Sequence, residues 1–215
     1  MKTAITLAII MATGLSAAAV RAQSGDPVKG KEAAIVCQAC HMEDGGGKDN
    51  GDIESWPRLA GLPAAYLHKQ MLDFKNGSRE APSMMPFANL LDDAQLADVS
   101  AYYASLPAPT PSLPAADAAL MAHGEKLALR GDWDRYLPPC MSCHGPGNRG
   151  AGDIFPGIAG QHAGYLQKQL QLWQQDARRN DVNQLMSVIA KRLTAEDIAA
   201  VTLWLAHQQP QGGQP

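Results

Sequence analysis

The sequence predicts an all-α protein built from two similar units in tandem, and three observations predict it. Apolar residues recur at helical spacing behind helix-start signals. The segment Leu59-Ala60-Gly61-Leu62-Pro63-Ala64-Ala65-Tyr66-Leu67-His68-Lys69-Gln70-Met71 returns in register as Ile158-Ala159-Gly160-Gln161-His162-Ala163-Gly164-Tyr165-Leu166-Gln167-Lys168-Gln169-Leu170. All four cysteines fall in two five-residue units of one pattern, Cys37-Gln38-Ala39-Cys40-His41 and Cys140-Met141-Ser142-Cys143-His144.

Composition fits this class. Of 215 residues, 46% are hydrophobic, 18% charged and 6% aromatic, enough apolar content for a packed core and too few charges for a long coiled coil. Eighteen Lys and Arg against 21 Asp and Glu argue against a nucleic-acid binder, which needs a basic face to displace phosphate counterions.

In the first unit, Asp26-Pro27 reads as an N-cap acid followed by proline at the first helical position, opening a helix that runs towards Cys37. Pro63 opens the next, with Tyr66, Leu67, Met71 and Phe74 at helical spacing, and Asn76-Gly77 stops it. Asp92-Asp93-Ala94-Gln95 is a capping-box pattern before Leu96, Val99, Tyr102 and Tyr103. The second unit repeats the plan with helices over 115–129 and 162–174, and Thr194-Ala195-Glu196-Asp197 caps a last helix carrying Ile198, Val201, Trp204 and Leu205. Residues 130–139, with Trp133 and Tyr136, have no counterpart in the first unit. The expected organisation is an N-terminal unit over 23–106, a stiff proline-rich linker over 107–114, a C-terminal unit over 115–207 and a disordered tail over 208–215.

Residues 1–22 form a segment apart. Lys2 precedes an apolar run from Ala4 to Val20, and the small residues around Ala22 fit a signal-peptide cleavage site. The run is short for a membrane span and is broken by Thr6, Thr13, Gly14 and Ser16, so export with cleavage near Ala22 is expected. The exported chain would hold 16 basic and 21 acidic side chains.

Four cysteines in an exported protein ordinarily suggest disulfides, but C-x-x-C-H is the pattern of covalent c-type haem attachment. Two thiols about a helical turn apart can each add to one vinyl group of a single haem, and the next residue presents an imidazole to the iron. A zinc ribbon brings its C-x-x-C pairs together across roughly 15 to 20 residues, whereas Cys40 and Cys140 lie about half the chain apart. A thioredoxin-like pair needs a βαβ setting that is missing. Two haem c groups are therefore expected, on Cys37 and Cys40 with His41, and on Cys140 and Cys143 with His144.

The repeat also selects sixth ligands. Met84 to Asp92 lines up with Met186 to Thr194, each running into a capped helix, and the spacing from the first cysteine to the methionine agrees within one residue. Met84 is preferred to its neighbour Met85 because Met186 stands alone at the aligned position. The alternative is that these methionines only fill core gaps.

These residues resemble dihaem class I cytochromes c of the cytochrome c4 type, over nearly all of residues 26–207. The resemblance rests on both C-x-x-C-H units, on Pro57-Arg58-Leu59-Ala60-Gly61 and Pro156-Gly157-Ile158-Ala159-Gly160, on the Tyr-Leu-x-Lys-Gln helices and on the methionine segments. It implies two tandem class I cytochrome c domains related by a pseudo-twofold axis, one covalent haem each, with the haem edges close together. The ligands it implies are His41, Met84, His144 and Met186, and it implies that the carbonyls of Pro57 and Pro156 orient the two histidine rings. Tyr66 and Tyr165 could reach haem propionates or simply pack. Met42, after the first histidine, departs from the family, where a small residue is more usual.

The implied function is electron transport. His/Met ligation fills both axial positions, so such a site moves electrons and admits no substrate. The resemblance implies a periplasmic carrier between a quinol-oxidising complex or dehydrogenase and a terminal oxidase or other acceptor, with peripheral membrane association open. Two alternatives differ in class: a peroxidase-like dihaem enzyme, which needs one haem to lose its methionine, and a permanent cytochrome subunit of a dehydrogenase. Residues 23–106 carry 7 basic and 12 acidic side chains and residues 107–215 carry 9 and 9, so the halves would meet partners through different fields.

Overall fold

The structure, a computed structural model, describes residues 25–50 and 54–210; the expected export segment 1–22 and residues 211–215 lie outside the described residues. The first helix, α1 (Pro27–Ala33), starts where it does because the Asp26 carboxylate accepts from the Val28 and Lys29 N–H groups, which a helix start leaves without partners. A 3-10 turn (Ala34–Cys37) then leads into a single α turn, α2 (Gln38–His41), so Cys37, Cys40 and His41 are presented on consecutive tight turns. α3 (Ala64–Lys75) follows Pro63 and ends at Asn76. α4 (Met85–Leu90) is short, and α5 (Asp93–Ser105) opens with a complete capping box between Asp92 and Gln95.

The second unit repeats this order with α6 (Ala118–Leu129), α7 (Met141–His144), α8 (Ala163–Gln174), α9 (Leu185–Ala190) and α10 (Ala195–Ala206). α6 begins three residues later than the sequence suggests because the Asp117 carboxylate accepts from Leu120 N–H and fixes the first turn there. The methionine segments also differ from expectation. Met84 caps a short helix and Met186 lies within one, and the sequence pattern marks neither helix, since six residues are too few to show a helical period. Ala88 and Ala190, at aligned positions in these segments, are both fully buried, so the register between the repeats holds.

Each unit has its own core. Ala34, Leu62, Leu67, Val99, Tyr102 and Tyr103 form the first, and Leu127, Ala128, Leu166, Val201, Trp204 and Leu205 the second. The framework of both is one crossing of the first and last helices, α1 on α5 and α6 on α10. These helices touch backbone to backbone. A Cβ on Gly30 would stand 2.0 Å from Asp98 O, and one on Gly124 would stand 2.2 Å from Ala200 O, so glycine is required where the axes cross.

Residues 130–139 fold as a small finger closed by a bridge between Asp132 and Leu137, with Leu137 buried beneath it. Arg135 braces it from below, donating to Asp132 and, through two nitrogens, to Asp197 of α10, which also takes His123. Trp133 and Tyr136 remain 67% and 75% exposed on a rigidly held turn. At the chain's other end, Gln208 N–H donates to Leu205 O and Arg149 donates to Gln209 O. The packed chain therefore runs on through Gln208–Pro210, and the tail expected from residue 208 does not begin there, because helix α10 leaves carbonyls for it to cap. Among the described residues no helix is long and apolar enough to cross a membrane.

Replacing Gly124 by Ala should destabilise the protein by about 2 kcal/mol, since overpacking a close helix crossing forces backbone apart; thermal unfolding measures this, and an unchanged midpoint would refute the crossing as a constraint. A second outcome concerns Asp197. Burial opposes its charge, but hydrogen bonds from Arg135, Thr194 N–H and His123 outweigh that and hold its carboxyl well below the usual range. A depressed carboxyl stabilises above the unfolded value of about 3.9 and loses that contribution as pH falls. Asp197→Asn should therefore cost about 2 kcal/mol at neutral pH, limited by the partial exposure of Arg135, with the gap to wild type narrowing below about pH 4 in denaturant melts.

Candidate functional site

The same local construction appears in both units. His41 Nδ1 lies 2.9 Å from Pro57 O, and His144 Nδ1 lies 2.8 Å from Pro156 O. A carbonyl only accepts, so each ring carries its proton on Nδ1 and keeps the Nε2 lone pair for a metal. Burial lowers the basicity of both imidazoles below the ordinary histidine value, which favours the neutral form a metal needs.

The loops that hold these carbonyls are also matched. Leu59 N–H and Ala60 N–H both donate to Gly45 O, as Ile158 N–H and Ala159 N–H both donate to Asn148 O. Gly61 N–H reaches Tyr103 O on α5, and Gly160 N–H reaches Leu205 O on α10. Each proline is thus tied to the turn after its histidine and to the last helix of its unit. The two turns differ in sequence but share the backbone conformation of their first residue. Gly145 leaves the second histidine at φ 76°, ψ 172°, and Met42 holds the same conformation at φ 62°, ψ 165°, a region that suits glycine.

A cavity of about 780 Å³ opens beside the first site, lined by Cys37, Cys40, His41, Tyr103 and Met84. Met84 faces it and the adjacent Met85 does not line it. Burial pushes the Cys37 thiol up and the Cys140 thiol up to about 11, the reverse of the depressed values that mark redox-active or nucleophilic thiols. The donor set therefore suits covalent haem. A bulky apolar-walled space adjoins one imidazole with its Nε2 available, two thiols one turn apart and one thioether. In the second unit Cys140, Cys143, His144 and Met186 keep the same order on α7 and α9, although they do not line this cavity.

The cavity continues between the units to a polar floor that no motif in the sequence marks. Arg79 and Arg178 lie antiparallel across the boundary, both buried, each stacked on an aromatic ring, Phe74 at 4.6 Å and Trp173 at 4.1 Å. Gln70 Oε1 accepts from Arg79 at 2.7 Å and Arg178 at 3.1 Å, while Gln169 Oε1 accepts from Arg178 at 2.7 Å and Arg79 at 3.0 Å. Arg79 also donates to Tyr165 OH at 3.1 Å, and the two guanidiniums hold that phenol below its ordinary value despite burial. A signal for this floor existed. Gln70 and Gln169, Phe74 and Trp173, and Arg79 and Arg178 all stand at the same interval as the repeat, read eight residues beyond its end.

Of the other histidines, His162 Nε2 bonds Gly46 O across the units, His123 pairs with Asp197, and His207 bonds Leu203 O and Pro114 O. None of these three sits with the cysteine motifs. Residues 145–150, which fit a dinucleotide-loop pattern in one dimension, form a turn after the second histidine.

The sequence profile of the family described as cytochrome c matches residues 27–107 and 136–209. The chain belongs to the cytochrome c family. A thiosulfate dehydrogenase electron acceptor from Stutzerimonas stutzeri (strain A1501) is 40% identical over 183 residues, covering 85% of this chain and 83% of that relative. The crystal structure of reduced recombinant cytochrome c4 from Pseudomonas stutzeri superposes with a TM-score of 0.77 at 34% identity, over 86% of this chain and 100% of that one. A thiosulfate dehydrogenase from Marichromatium purpuratum, in its as-isolated form, gives a TM-score of 0.76 at 39% identity, with 85% of this chain covering 40% of that one. This cytochrome is thus all-α with two cytochrome c domains, carries two covalent haem c groups and serves as an electron carrier rather than an enzyme.

The strain at Met42 has a measurable consequence. Met42→Gly should stabilise the first domain by about 1 kcal/mol, read as a higher unfolding midpoint, because relief of the left-handed backbone exceeds the added chain entropy; a lower midpoint would refute it.

Proposed function

We propose that His41 with Met84, and His144 with Met186, would ligate the two haem irons, and that Cys37, Cys40, Cys140 and Cys143 would carry the thioether links. The observation that carries this reading is the hydrogen bond made twice, from histidine Nδ1–H to a proline carbonyl, which directs each Nε2 away from the loop as a ligand. The lining of the cavity by Met84 supports it over Met85.

When bound, haem c supplies a one-electron ferric/ferrous couple at each site. The protein's own groups do the rest. Pro57 and Pro156 fix the imidazole planes, and the methionine thioethers would complete the ligand sets, favour the ferrous state and, with the histidines, leave no position for a substrate. Arg79, Arg178, Tyr66 and Tyr165 would receive the haem carboxylates, since two buried guanidiniums answered mainly by amides and phenols still call for negative charge. Residues 23–106 and 115–207 are the two haem-bearing domains and 107–114 the linker.

Export with cleavage near Ala22 would deliver the carrier to the periplasm, with a dehydrogenase as donor and a terminal oxidase or other acceptor downstream. Relatives named as thiosulfate dehydrogenase electron acceptors favour a dehydrogenase over a quinol-oxidising complex as the donor.

The test is haem stoichiometry with ferric and ferrous spectra in the presence and absence of carbon monoxide. Two covalent haems, a ferric methionine–iron charge-transfer band and no carbon monoxide shift are expected. Met84→Ala should open one of the two haems to carbon monoxide and halve the charge-transfer band, whereas Met85→Ala should leave both intact. Normal six-coordinate spectra in Met84→Ala would overturn the assignment.

A further inference from the structure

The hydrogen bonding of the two proline loops is closely matched, and two aligned positions in them carry unlike side chains. Arg58, directly after Pro57, has Gly157 as its counterpart, and Gln161 has Leu62. Both departures meet in one place. Arg58 is 3% exposed, and its side chain leaves the first proline loop and enters the second. The guanidinium donates to Ala60 O in its own loop and to Gly157 O at 3.4 Å, Ala159 O at 3.1 Å and Gly160 O at 3.4 Å in the other. Gln161 completes the clamp, accepting from Arg58 N–H at 2.8 Å and donating to Arg58 O at 2.9 Å.

This clamp joins the groups that orient both histidines. Arg58 N–H belongs to the same peptide unit as the Pro57 carbonyl that accepts from His41, so His41, that peptide and Gln161 form one hydrogen-bonded chain. Gly157 O, which Arg58 reaches, lies one residue beyond the Pro156 carbonyl that accepts from His144. Among the described residues no carboxylate lies within ion-pair distance of Arg58. Burial lowers its value to about 10, which leaves it charged at neutral pH. Carbonyl dipoles satisfy its donors without cancelling its charge, and a charge screened by little water acts over a longer range than one on the surface.

We propose that Arg58 is a positioning residue shared by both electron-transfer sites: it ties the two histidine-orienting loops into one unit, and its buried charge, which no protein carboxylate pairs, raises the reduction potentials of both haems together. Reduction removes one positive charge from an iron, so a fixed positive charge nearby favours the reduced form. A purely structural clamp would hold the loops and leave the potentials alone.

The inference rests on the assignment of His41 and His144 as ligands. Haem stoichiometry and the charge-transfer band of the unaltered protein check that assignment separately, so its failure and the failure of this proposal are distinguishable. The experiment is a spectroelectrochemical titration of the full, haem-loaded chain that resolves both haems, with thermal unfolding alongside. In Arg58→Gln, the reduced-to-oxidised ratio at a fixed potential should fall roughly threefold or more at each haem. In Arg58→Lys, which keeps the charge and loses the planar fork, both ratios should stay near those of the parent. Movement of one haem alone, movement of neither with a lower unfolding midpoint, or equal shifts in the Lys and Gln variants would each overturn the proposal. Should Arg58→Gln fail to mature, Gln161→Glu places a carboxylate against the same peptide and must lower both potentials; two unmoved potentials would overturn the proposal equally.

Discussion

The hydrogen bond from a buried histidine Nδ1 to a proline carbonyl is the constraint on which the architecture turns. It is directional, it fixes a tautomer, and it works only if the proline loop cannot drift. Each part of a domain contributes to that. The turn after the histidine supplies Gly45 O or Asn148 O to two successive loop amides, and the last helix supplies Tyr103 O or Leu205 O to a third. The last helix is itself held by its crossing with the first, at Gly30 and Gly124. A chain of backbone contacts thus runs from the helix crossing to the imidazole, and the cysteines lie on the turns just before it.

A rigid site of this kind suits electron transfer, which is fastest when little rearranges between oxidation states. The imidazole is locked by its second nitrogen, the thiols sit on short helical turns, and the polar atoms at the boundary between domains are mostly bonded within the protein. Arginine dominates that boundary. Arg79 and Arg178 share two glutamine carbonyls around the pseudo-twofold axis, and Arg58 crosses it alone. The protein side of this boundary is therefore rich in buried arginine, although the first domain as a whole is acidic.

The second domain differs from the first most clearly in the finger at 130–139. Arg135 and Asp197 fasten it, and Asp197 at the same time completes the capping box of α10, a position that Gln95 fills in the first domain. One carboxylate thereby joins a helix start to an insertion, which explains why the finger holds two aromatic residues in solvent without collapsing.

The sequence by itself determined the class, the duplication and the site chemistry, because these depend on local order along the chain. C-x-x-C-H is complete within five residues, caps such as Asp26 and Thr194 act within one turn, and a repeat is visible as soon as two segments align. Boundaries were less legible: Asp117 rather than Ala115 begins α6, the methionine segments are short helices, and Gln208–Pro210 remain packed. Only the tertiary structure decided what the repeated Tyr-Leu-x-Lys-Gln helices do at the boundary, and which residues break the symmetry there. Gln70 and Arg178, or Arg58 and Gln161, are about a hundred residues apart, and each pair is built only when the two domains meet. Local pattern carries no information on that distance of approach, so Arg58 reads in the sequence as one residue of the Pro57–Gly61 segment and in the fold as a buried charge between the domains.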